Sequence, residues 1–452
     1  MSDTIAAIST PIAAGGIGVI RISGDDAISV ADKAFTATSG KKLSSLKGYS
    51  AAHGRVHLDG EDIDEVVALV FRGPKSYTGE DTVEISCHGG VYVTNQVLRA
   101  VLSAGARPAE AGEFTKRAFL NGKMDLSEAE AVMSLIGAQG QQGMKAAMTA
   151  LDGALSRKTD ELCGKLVSAS AHMAAWVDYP DEEIPEISED TLRETLTEVK
   201  SQLTSLLSKF DAGKALTSGV DTAIVGKPNV GKSSLLNALA GFERCIVTDI
   251  PGTTRDTVEE TVMLGATRLR LIDTAGIRET EDTVEAIGVN RSRKAVEDAD
   301  LVLFVCDGSQ PLTEEDEAII DLCSERENAV ALINKTDLGS VVEPSDLPFM
   351  YVIEICAGTG VGLDQLADLV DTLFEGETPC DGSILTNARQ FDAIRRAYDA
   401  MLRALQGLKL GMTPDMVLID VEEAMEAMGE VTGATVREDI TARIFERFCV
   451  GK

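Results

Sequence analysis

The segment at residues 226–233 has the residue types and spacing to hold a phosphate chain. It reads Gly-Lys-Pro-Asn-Val-Gly-Lys-Ser and lies between an apolar run at 223–225 and a stretch of helical composition at 235–239. Glycines let the backbone N–H groups of such a loop surround an anion, and the positive end of the helix dipole strengthens the attraction. Lys232 would meet the β- and γ-phosphates, and the Ser233 hydroxyl would ligate Mg²⁺. Taken alone, the pattern leaves a plain glycine-rich turn between a strand and a helix open.

Two more motifs follow, each directly after an apolar run typical of a strand. The first consists of Asp273, Thr274, Ala275 and Gly276, and the second of Asn334, Lys335, Thr336 and Asp337. An aspartate such as Asp273 can hold the water shell of Mg²⁺, and the Gly276 N–H can reach the γ-phosphate. The Asp337 carboxylate can accept from the N1–H and N2–H₂ donors of guanine, which adenine lacks. Three such motifs in this order predict a domain that binds a guanine nucleotide.

Hydrolysis needs a group that orients the attacking water. Many GTPases place a glutamine directly after the Asp-x-x-Gly motif, but this chain has Ile277, which can neither donate nor accept a hydrogen bond. Glu285, in the acidic segment at 279–285, is the candidate, and the alternative is a glutamate that only faces solvent. Asn229 could direct its side-chain carbonyl toward the oxygen that bridges the β- and γ-phosphates.

The elements that must position these residues follow from the apolar pattern. Continuous apolar runs at 301–305 and 329–333 predict strands buried on both faces, and residues 217–376 alternate such runs with helical segments, as in a parallel α/β sheet. Residues 1–120 read as mixed α/β, with strands at 18–22 and 66–71. A capping box from Ser127 to Glu130 predicts a helix over 128–177, broken near 137–143.

Two stripes of apolar residues at helical spacing flank the α/β region, and each must pack against other helices. The stripe before it consists of Leu192, Leu196, Val199, Leu203, Leu206 and Phe210. The stripe after it consists of Phe391, Ile394, Tyr398, Met401, Leu405 and Leu408. One helical domain that carries an inserted domain accounts for both stripes, and two independent helical pairs are the alternative. We therefore expect domain segments at 1–120, 121–216, 217–376 and 377–452.

The composition narrows the functional classes. Of the 452 residues, 44% are hydrophobic, so the chain can build buried cores. Its 42 Lys and Arg against 73 Asp and Glu give a formal net charge of −31, which argues against binding nucleic acid through the overall field of the protein. A nucleic acid could still be a substrate if a basic partner or a local patch holds it. Eight scattered cysteines without a C-x-x-C pair predict a reducing, cytoplasmic setting. Because no run of 18 apolar residues occurs and the N-terminal apolar stretch has no basic start, we expect neither a membrane span nor a signal peptide.

The three motifs resemble those of the TRAFAC-class GTPases. The resemblance implies that the first switch consists of Thr248, Asp249, Ile250, Pro251, Gly252, Thr253 and Thr254. Contacts to GTP then also come from Asn229, Val230, Gly231 and Ser234. The resemblance further implies that Thr254 ligates Mg²⁺ beside Ser233, and that a K⁺ ion in place of an arginine finger is held by Asn229, Thr248, Ile250 and Thr253. The resemblance also implies that the guanine-contacting loop consists of Cys356, Ala357 and Gly358. This loop departs from the usual Ser-Ala-Lys, and the Ala357 N–H would still donate to guanine O6.

Strings outside the α/β region resemble the MnmE (TrmE) family of bacterial tRNA modification GTPases. They lie at 74–81, 87–90, 112–123 and 447–452, so the resemblance spans essentially the full chain. It implies a multidomain protein with an α+β N-terminal domain similar to tetrahydrofolate-binding domains, a discontinuous all-α helical domain and an inserted α/β P-loop GTPase domain. It also implies a homodimer, and a 5-formyl- or methylene-tetrahydrofolate site at Arg21, Glu84, Lys123 and Lys452. Cys449 could take part in one-carbon chemistry as a thiolate, or it could be a small apolar residue on a helix.

The same resemblance implies the reaction. A GTP hydrolase of this family works with an FAD- and NADH-using partner, MnmG (GidA), in a heterotetramer or larger assembly. Together they would add a carboxymethylaminomethyl or aminomethyl group at C5 of the wobble uridine, position 34, of certain tRNAs. GTP hydrolysis would depend on K⁺ and on pairing of the GTPase domains, and the partner's basic surface would hold most of the tRNA. A ribosome-assembly GTPase and a GTP-gated scaffold remain the alternatives.

Overall fold

A computed structural model describes most of the chain. The described residues are 3–138, 141–178, 189–210, 213, 219–242, 260–265, 267–272, 295–297, 299–324, 326–374, 383–436, 438–446 and 448–451. The chain divides into two compact units. The first unit comprises Met1–Met133, Leu151–Leu192 and Arg403–Lys452, and the second comprises Ser134–Ala150 and Arg193–Leu402.

A seven-stranded sheet forms the N-terminal part of the first unit. Its strands are β1 (Ile5–Ile8), β2 (Ile17–Ser23), β3 (Phe35–Ala37), β4 (Ser50–Leu58), β5 (Glu61–Phe71), β6 (Thr82–His88) and β7 (Arg107–Pro108), and its helices are α1 (Ala27–Ala34), α2 (Val91–Ser103) and α3 (Glu113–Leu120). The strand order is β3-β4-β5-β6-β2-β1-β7. Ile20, Ile22 and Ile85 form a core with residues of α1 and α2. Because side chains alternate along a strand, Arg21 and Glu84 lie on the opposite face of this sheet.

Within the described residues, four helices follow the N-terminal sheet. They are α4 (Leu126–Gly137), α5 (Gln141–Leu151), α6 (Ala154–Asp178) and α7 (Glu189–Leu207). The break predicted near 137–143 is confirmed, and a second one separates α5 from α6. The predicted capping box was wrong by two residues: the Asp125 N–H donates to Glu128 Oε2 and the Glu128 N–H donates to Asp125 Oδ1, both at 2.8 Å. The helix therefore begins at Leu126, and this start allows Leu126 and Ala129 to be buried in a hydrophobic cluster.

A six-stranded sheet forms the centre of the second unit. Its strands are β8 (Val220–Val225), β9 (Glu260–Leu264), β10 (Thr267–Leu271), β11 (Leu301–Asp307), β12 (Ala329–Asn334) and β13 (Tyr351–Glu354), and its helices are α8 (Lys232–Phe242), α9 (Glu314–Cys323) and α10 (Leu363–Phe374). The order is β13-β12-β11-β8-β10-β9, with β9 antiparallel to β10 and the other pairs parallel. Every residue of β8, β11 and β12 is buried, as the apolar runs predicted. The carboxyl ends of these three strands therefore meet at one edge of the sheet.

After the second sheet, the described part of the chain contains three more helices, which contact helices that precede that sheet. They are α11 (Ala388–Lys409), α12 (Pro414–Thr432) and α13 (Glu438–Phe445). Within the second unit the two predicted stripes meet, since the rings of Phe210 and Phe391 lie 4.4 Å apart. Within the first unit α12 packs against α6, and Phe445 packs with Leu126. In each unit, helices from before and after the second sheet therefore contact each other. Among the described residues, none of the helices combines the length and the apolar character that a membrane span needs.

Candidate functional site

The loop between β8 and α8 has the backbone of an anion-binding turn. Gly226, Asn229 and Gly231 have φ values of +153°, +64° and +101°. A Cβ at Gly226 would clash with the Val305 carbonyl, and one at Gly231 would clash with Asn334 Nδ2. Only glycine fits either position, because side chains are disfavoured at these φ values and space is lacking. The loop is thus fixed tightly against the neighbouring strand ends.

Lys232 lies over this loop. Its Nζ donates to the Gly226 carbonyl at 2.7 Å and to the Lys227 carbonyl at 2.8 Å. An ammonium group has three N–H donors, so these two contacts within the described residues leave one donor for an oxygen of a bound anion. Burial lowers the pKa of Lys232 from its ordinary value. A phosphate oxygen would favour the charged form of the side chain and raise that pKa again.

Asn334 joins three loops of the candidate site. The Asn334 side chain is 2% exposed. Its Nδ2 donates to the Val230 carbonyl at 2.8 Å, and its Oδ1 accepts from the Ala357 N–H at 2.9 Å. The loop at 226–231, the motif at 334–337 and the loop at 356–358 therefore share one buried amide. Sequence reasoning placed Asn334 in the site but did not foresee this linking role.

The neighbours of Asn334 hold the same arrangement. Lys335 Nζ donates to the Asn229 carbonyl at 2.8 Å and to Asp307 Oδ2 at 2.7 Å. Cys356 Sγ donates to Asp337 Oδ1 at 3.2 Å. The thiol therefore supports the carboxylate that was predicted to read guanine, although the sequence departs from the usual serine at this position.

The described part of the site has a buried layer below an exposed one. Val230, Asn334 and Ala357 are buried, whereas Asn229, Ser233, Asp337 and Gly358 are exposed at the same edge of the sheet. The structure thus brings together the predicted residues Asn229, Val230, Gly231, Lys232, Ser233, Ser234, Asn334, Lys335, Thr336, Asp337, Cys356, Ala357 and Gly358. The other residues predicted for the nucleotide site lie outside the described ranges, as does Lys452 of the predicted folate site: Thr248, Asp249, Ile250, Pro251, Gly252, Thr253, Thr254, Asp273, Thr274, Ala275, Gly276, Glu285 and Lys452.

Two aspartates that the sequence analysis did not select also contact the loop lysines. Asp307 ends β11 and accepts from Lys335, while Asp316, in the first turn of α9, accepts from Lys227 Nζ at 2.7 Å. Burial raises the pKa of each carboxyl group, but the lysine contacts and other hydrogen bonds lower it to a net value below the ordinary one. The sequence did contain a signal for Asp307, because an aspartate at the end of a predicted buried strand is a candidate for a site at that edge of the sheet.

A second charged site lies in the first unit, on the face of the sheet away from α1 and α2. Arg21 and Glu84 stand opposite each other on β2 and β6, and the Arg21 Nε donates to Glu84 Oε1 at 2.9 Å. The guanidinium lies 5.1 Å from the ring centroid of Tyr77 and 5.7 Å from that of Phe114. The structure therefore pairs two of the predicted folate residues beside two aromatic rings.

The other predicted folate residues have separate surroundings. Lys123 Nζ donates to the Pro74 carbonyl at 3.1 Å. Gly451 lies two residues after the predicted candidate Cys449. The Gly451 carbonyl accepts from Arg21 Nη1 at 3.4 Å and from Ser9 Oγ at 3.0 Å. The Cys449 carbonyl accepts from the Gly112 N–H at 3.3 Å, and Cys449 itself is exposed. Residues 449–451 thus reach the sheet that carries Arg21.

Comparison with known proteins places both regions in one protein family. A model described as the MnmE helical domain matches residues 126–449, and one described as the GTP-binding protein TrmE N-terminus matches residues 4–123. The tRNA modification GTPase MnmE of Streptococcus thermophilus (strain CNRZ 1066) is 44% identical over 454 residues, which cover 100% of this chain and 98% of that protein. The protein of the same name from Geobacillus kaustophilus (strain HTA426) is 45% identical over 464 residues, 100% of this chain and 99% of that protein.

Among solved structures, the G domain of the FeoB iron transporter of T. maritima is similar to part of the chain. It shares 24% identity, and the match covers 35% of this chain and 99% of that domain with a TM-score of 0.26.

Proposed function

Since the chain belongs to the MnmE family of tRNA modification GTPases, we propose that it hydrolyses GTP to support modification of the tRNA wobble uridine. The product is a carboxymethylaminomethyl or aminomethyl group at C5 of that base. The observation that carries the nucleotide part is the buried Asn334 amide, which joins the three loops of the site. The domain segments 1–120, 121–216, 217–376 and 377–452 belong to this proposal.

The proposed roles in the nucleotide site are assigned residue by residue. Lys232 binds the β- and γ-phosphates with its remaining N–H donor. Asp337, supported by the Cys356 thiol, accepts from guanine. Ala357, whose N–H donates to Asn334 Oδ1, remains the proposed donor to guanine O6. Glu285 orients the attacking water, and the residues at 248–254 and 273–276 contact the nucleotide and its ions.

The donor chemistry of the site fits Mg²⁺ and K⁺, the two ions expected from the resemblance. Ser233, an exposed hydroxyl in the first turn of α8, and Thr254 are proposed to hold Mg²⁺, which prefers oxygen ligands. Asn229, exposed at φ +64°, is proposed to hold K⁺ together with Thr248, Ile250 and Thr253. These cations supply charge neutralisation at the phosphates. Equal steady-state GTPase rates in Na⁺ and K⁺ buffers would count against the K⁺ site.

The charged site of the first unit is proposed to bind a 5-formyl- or methylene-tetrahydrofolate. The donor set fits, because Glu84 can accept from the N–H edge of a pterin while Arg21 and Lys123 can meet its carboxylates. Tyr77 and Phe114 supply apolar contact beside the Arg21 guanidinium. Lys452 and Cys449 are proposed to complete the site, with the chemical role of Cys449 dependent on its thiolate.

The proposed assembly is a homodimer that works with an FAD-dependent subunit of the MnmG (GidA) type on tRNA in the cytoplasm. The net charge of −31 supports an arrangement in which that subunit holds most of the tRNA.

Nucleoside analysis of tRNA from a strain that lacks this protein tests the proposal. We expect loss of the modified wobble uridine and its return on expression of the wild-type chain. Unchanged wobble uridines would overturn the proposal and favour a ribosome-assembly GTPase or a GTP-gated scaffold. A Lys232→Ala chain serves as the matched control, since it should accumulate without restoring the modification.

A further inference from the structure

A buried carboxylate beside the candidate nucleotide site carries a further inference. Asp316 is 1% exposed and lies in the first turn of α9. It belongs to none of the nucleotide motifs. Its Oδ2 accepts from Lys227 Nζ at 2.7 Å, from the Thr313 N–H at 2.9 Å and from Thr313 Oγ1 at 2.8 Å. Among the described residues, its Oδ1 has no hydrogen-bond partner.

Lys227 connects this carboxylate to the loop at 226–231. Its side chain ends on Asp316, whereas its backbone carbonyl accepts from Lys232 Nζ at 2.8 Å. The chain of contacts therefore runs from Asp316 through Lys227 to the lysine that is proposed to bind phosphate. An ion pair at this depth is held firmly, because breaking it leaves a buried charge without a partner.

Capping of α9 does not account for this contact. In the cap, Asp316 Oδ2 accepts from the Thr313 N–H, and these two residues complete the cap without a lysine. Lys227 comes from a loop 89 residues away in sequence and contacts the same oxygen. The ion pair of Lys227 and Asp316 therefore links the loop at 226–231, called the phosphate loop below, to the start of α9.

We propose that Asp316 is a positioning residue for nucleotide binding, because it holds Lys227 and thereby the Lys232 side chain over the phosphate loop. This inference rests on the proposed role of residues 226–233 in binding phosphate. Asp316 does not itself contact the nucleotide.

The test measures the affinity of the full-length protein for fluorescently labelled GDP. Asp316→Asn keeps the shape of the side chain and removes its charge. We expect its Kd for GDP to rise about 2- to 30-fold, the range for a residue that acts through a neighbour. A purely electrostatic effect has the opposite sign, since removal of a negative charge near the site would strengthen the binding of an anion. An unchanged or lower Kd would overturn the proposal.

Variants of Lys227 show whether the effect passes through that residue. Lys227→Met should weaken GDP binding by a similar factor, and Lys227→Arg should restore the Kd to within about twofold of wild type because it keeps a cation. In the double variant of Lys227→Met and Asp316→Asn, the loss of GDP affinity should not exceed the larger of the two losses measured for the single variants. Multiplication of the two single effects would show independent action and overturn the proposed route.

Two controls separate a positioning role from a structural one. Asp392→Asn breaks an ion pair with Arg396 in which the aspartate side chain is 70% exposed, so the Kd for GDP should not change. The melting temperature of each variant is measured without nucleotide. A lower Tm with an unchanged Kd would mean that Asp316 only stabilises the fold. If the wild-type protein itself does not bind GDP, the proposed function fails before this inference is tested.

Discussion

Replacement of Asn334 by alanine should destabilise the contacts between the loops at 226–231 and 356–358 of the candidate nucleotide site. The change removes the donor to the Val230 carbonyl and the acceptor for the Ala357 N–H. Each buried group left without its partner costs about 1–3 kcal/mol. Both losses together amount to about 2–6 kcal/mol of local stability. Functional loops often open locally at a small free-energy cost, so a loss of this size should open the site.

Hydrogen–deuterium exchange, with fragmentation that separates neighbouring amides, measures the effect at one atom. Exchange of the Ala357 N–H should become about 5- to 160-fold faster in Asn334→Ala, which corresponds to the loss of one buried hydrogen bond. The adjacent Cys356 N–H donates to the Val361 carbonyl at 2.9 Å and does not depend on Asn334. Its exchange should change much less. GDP affinity should fall in the same variant.

Two results would refute this reasoning. Equal acceleration of the Cys356 and Ala357 amides would mean general loosening of the domain rather than loss of a specific link. Unchanged exchange at Ala357 would mean that the Asn334 amide does not hold the loop in solution. Asn95→Ala is the matched control, because Asn95 Nδ2 also donates to a backbone carbonyl, that of Val91, but at an exposed position. This control should leave the exchange of both amides unchanged.

Three further changes have defined outcomes. Gly231→Ala should weaken GDP binding about 10-fold or more in a fluorescence titration, because its φ of +101° disfavours a side chain and its Cβ would clash with Asn334; wild-type affinity would contradict the loop geometry. Cys356→Val should weaken GDP binding about 2- to 10-fold through loss of the donor to Asp337, whereas Cys356→Ser keeps a donor and should not. Burial raises the pKa of Asp125 above 3.8, so its charged form costs stability at pH 7, and that cost disappears as the pH falls through the raised value. Asp125→Asn should therefore raise the Tm at pH 7, with a difference from wild type that shrinks toward pH 4; a constant difference would exclude this cause.

Local patterns in the sequence predicted the elements that carry the site. The apolar runs at 301–305 and 329–333 became β11 and β12, and the motifs at 226–233 and 334–337 lie at one edge of the sheet, since parallel strands bring their carboxyl ends together. These features depend on residues that are close in sequence, which is why the pattern was sufficient.

Contacts between distant segments were not predictable in the same way. Both Asp125-x-x-Glu128 and Ser127-x-x-Glu130 fit the capping pattern, and the burial of Leu126 against Phe445 decides between them. The pair of Lys227 and Asp316 likewise depends on the adjacency of β8 and β11 in the sheet order. The residues missed in the site are therefore those whose partner is far away along the chain.

The anchoring of residues 449–451 has a consequence for how the chain completes the charged site around Arg21 during synthesis. Ser9 and Gly451 are 442 positions apart, yet their hydrogen bond lies beside Arg21. A ribosome must therefore translate the entire nucleotide-binding segment before this corner of the N-terminal sheet can close. A nascent chain released before residue 451 would lack the carbonyl that Arg21 contacts.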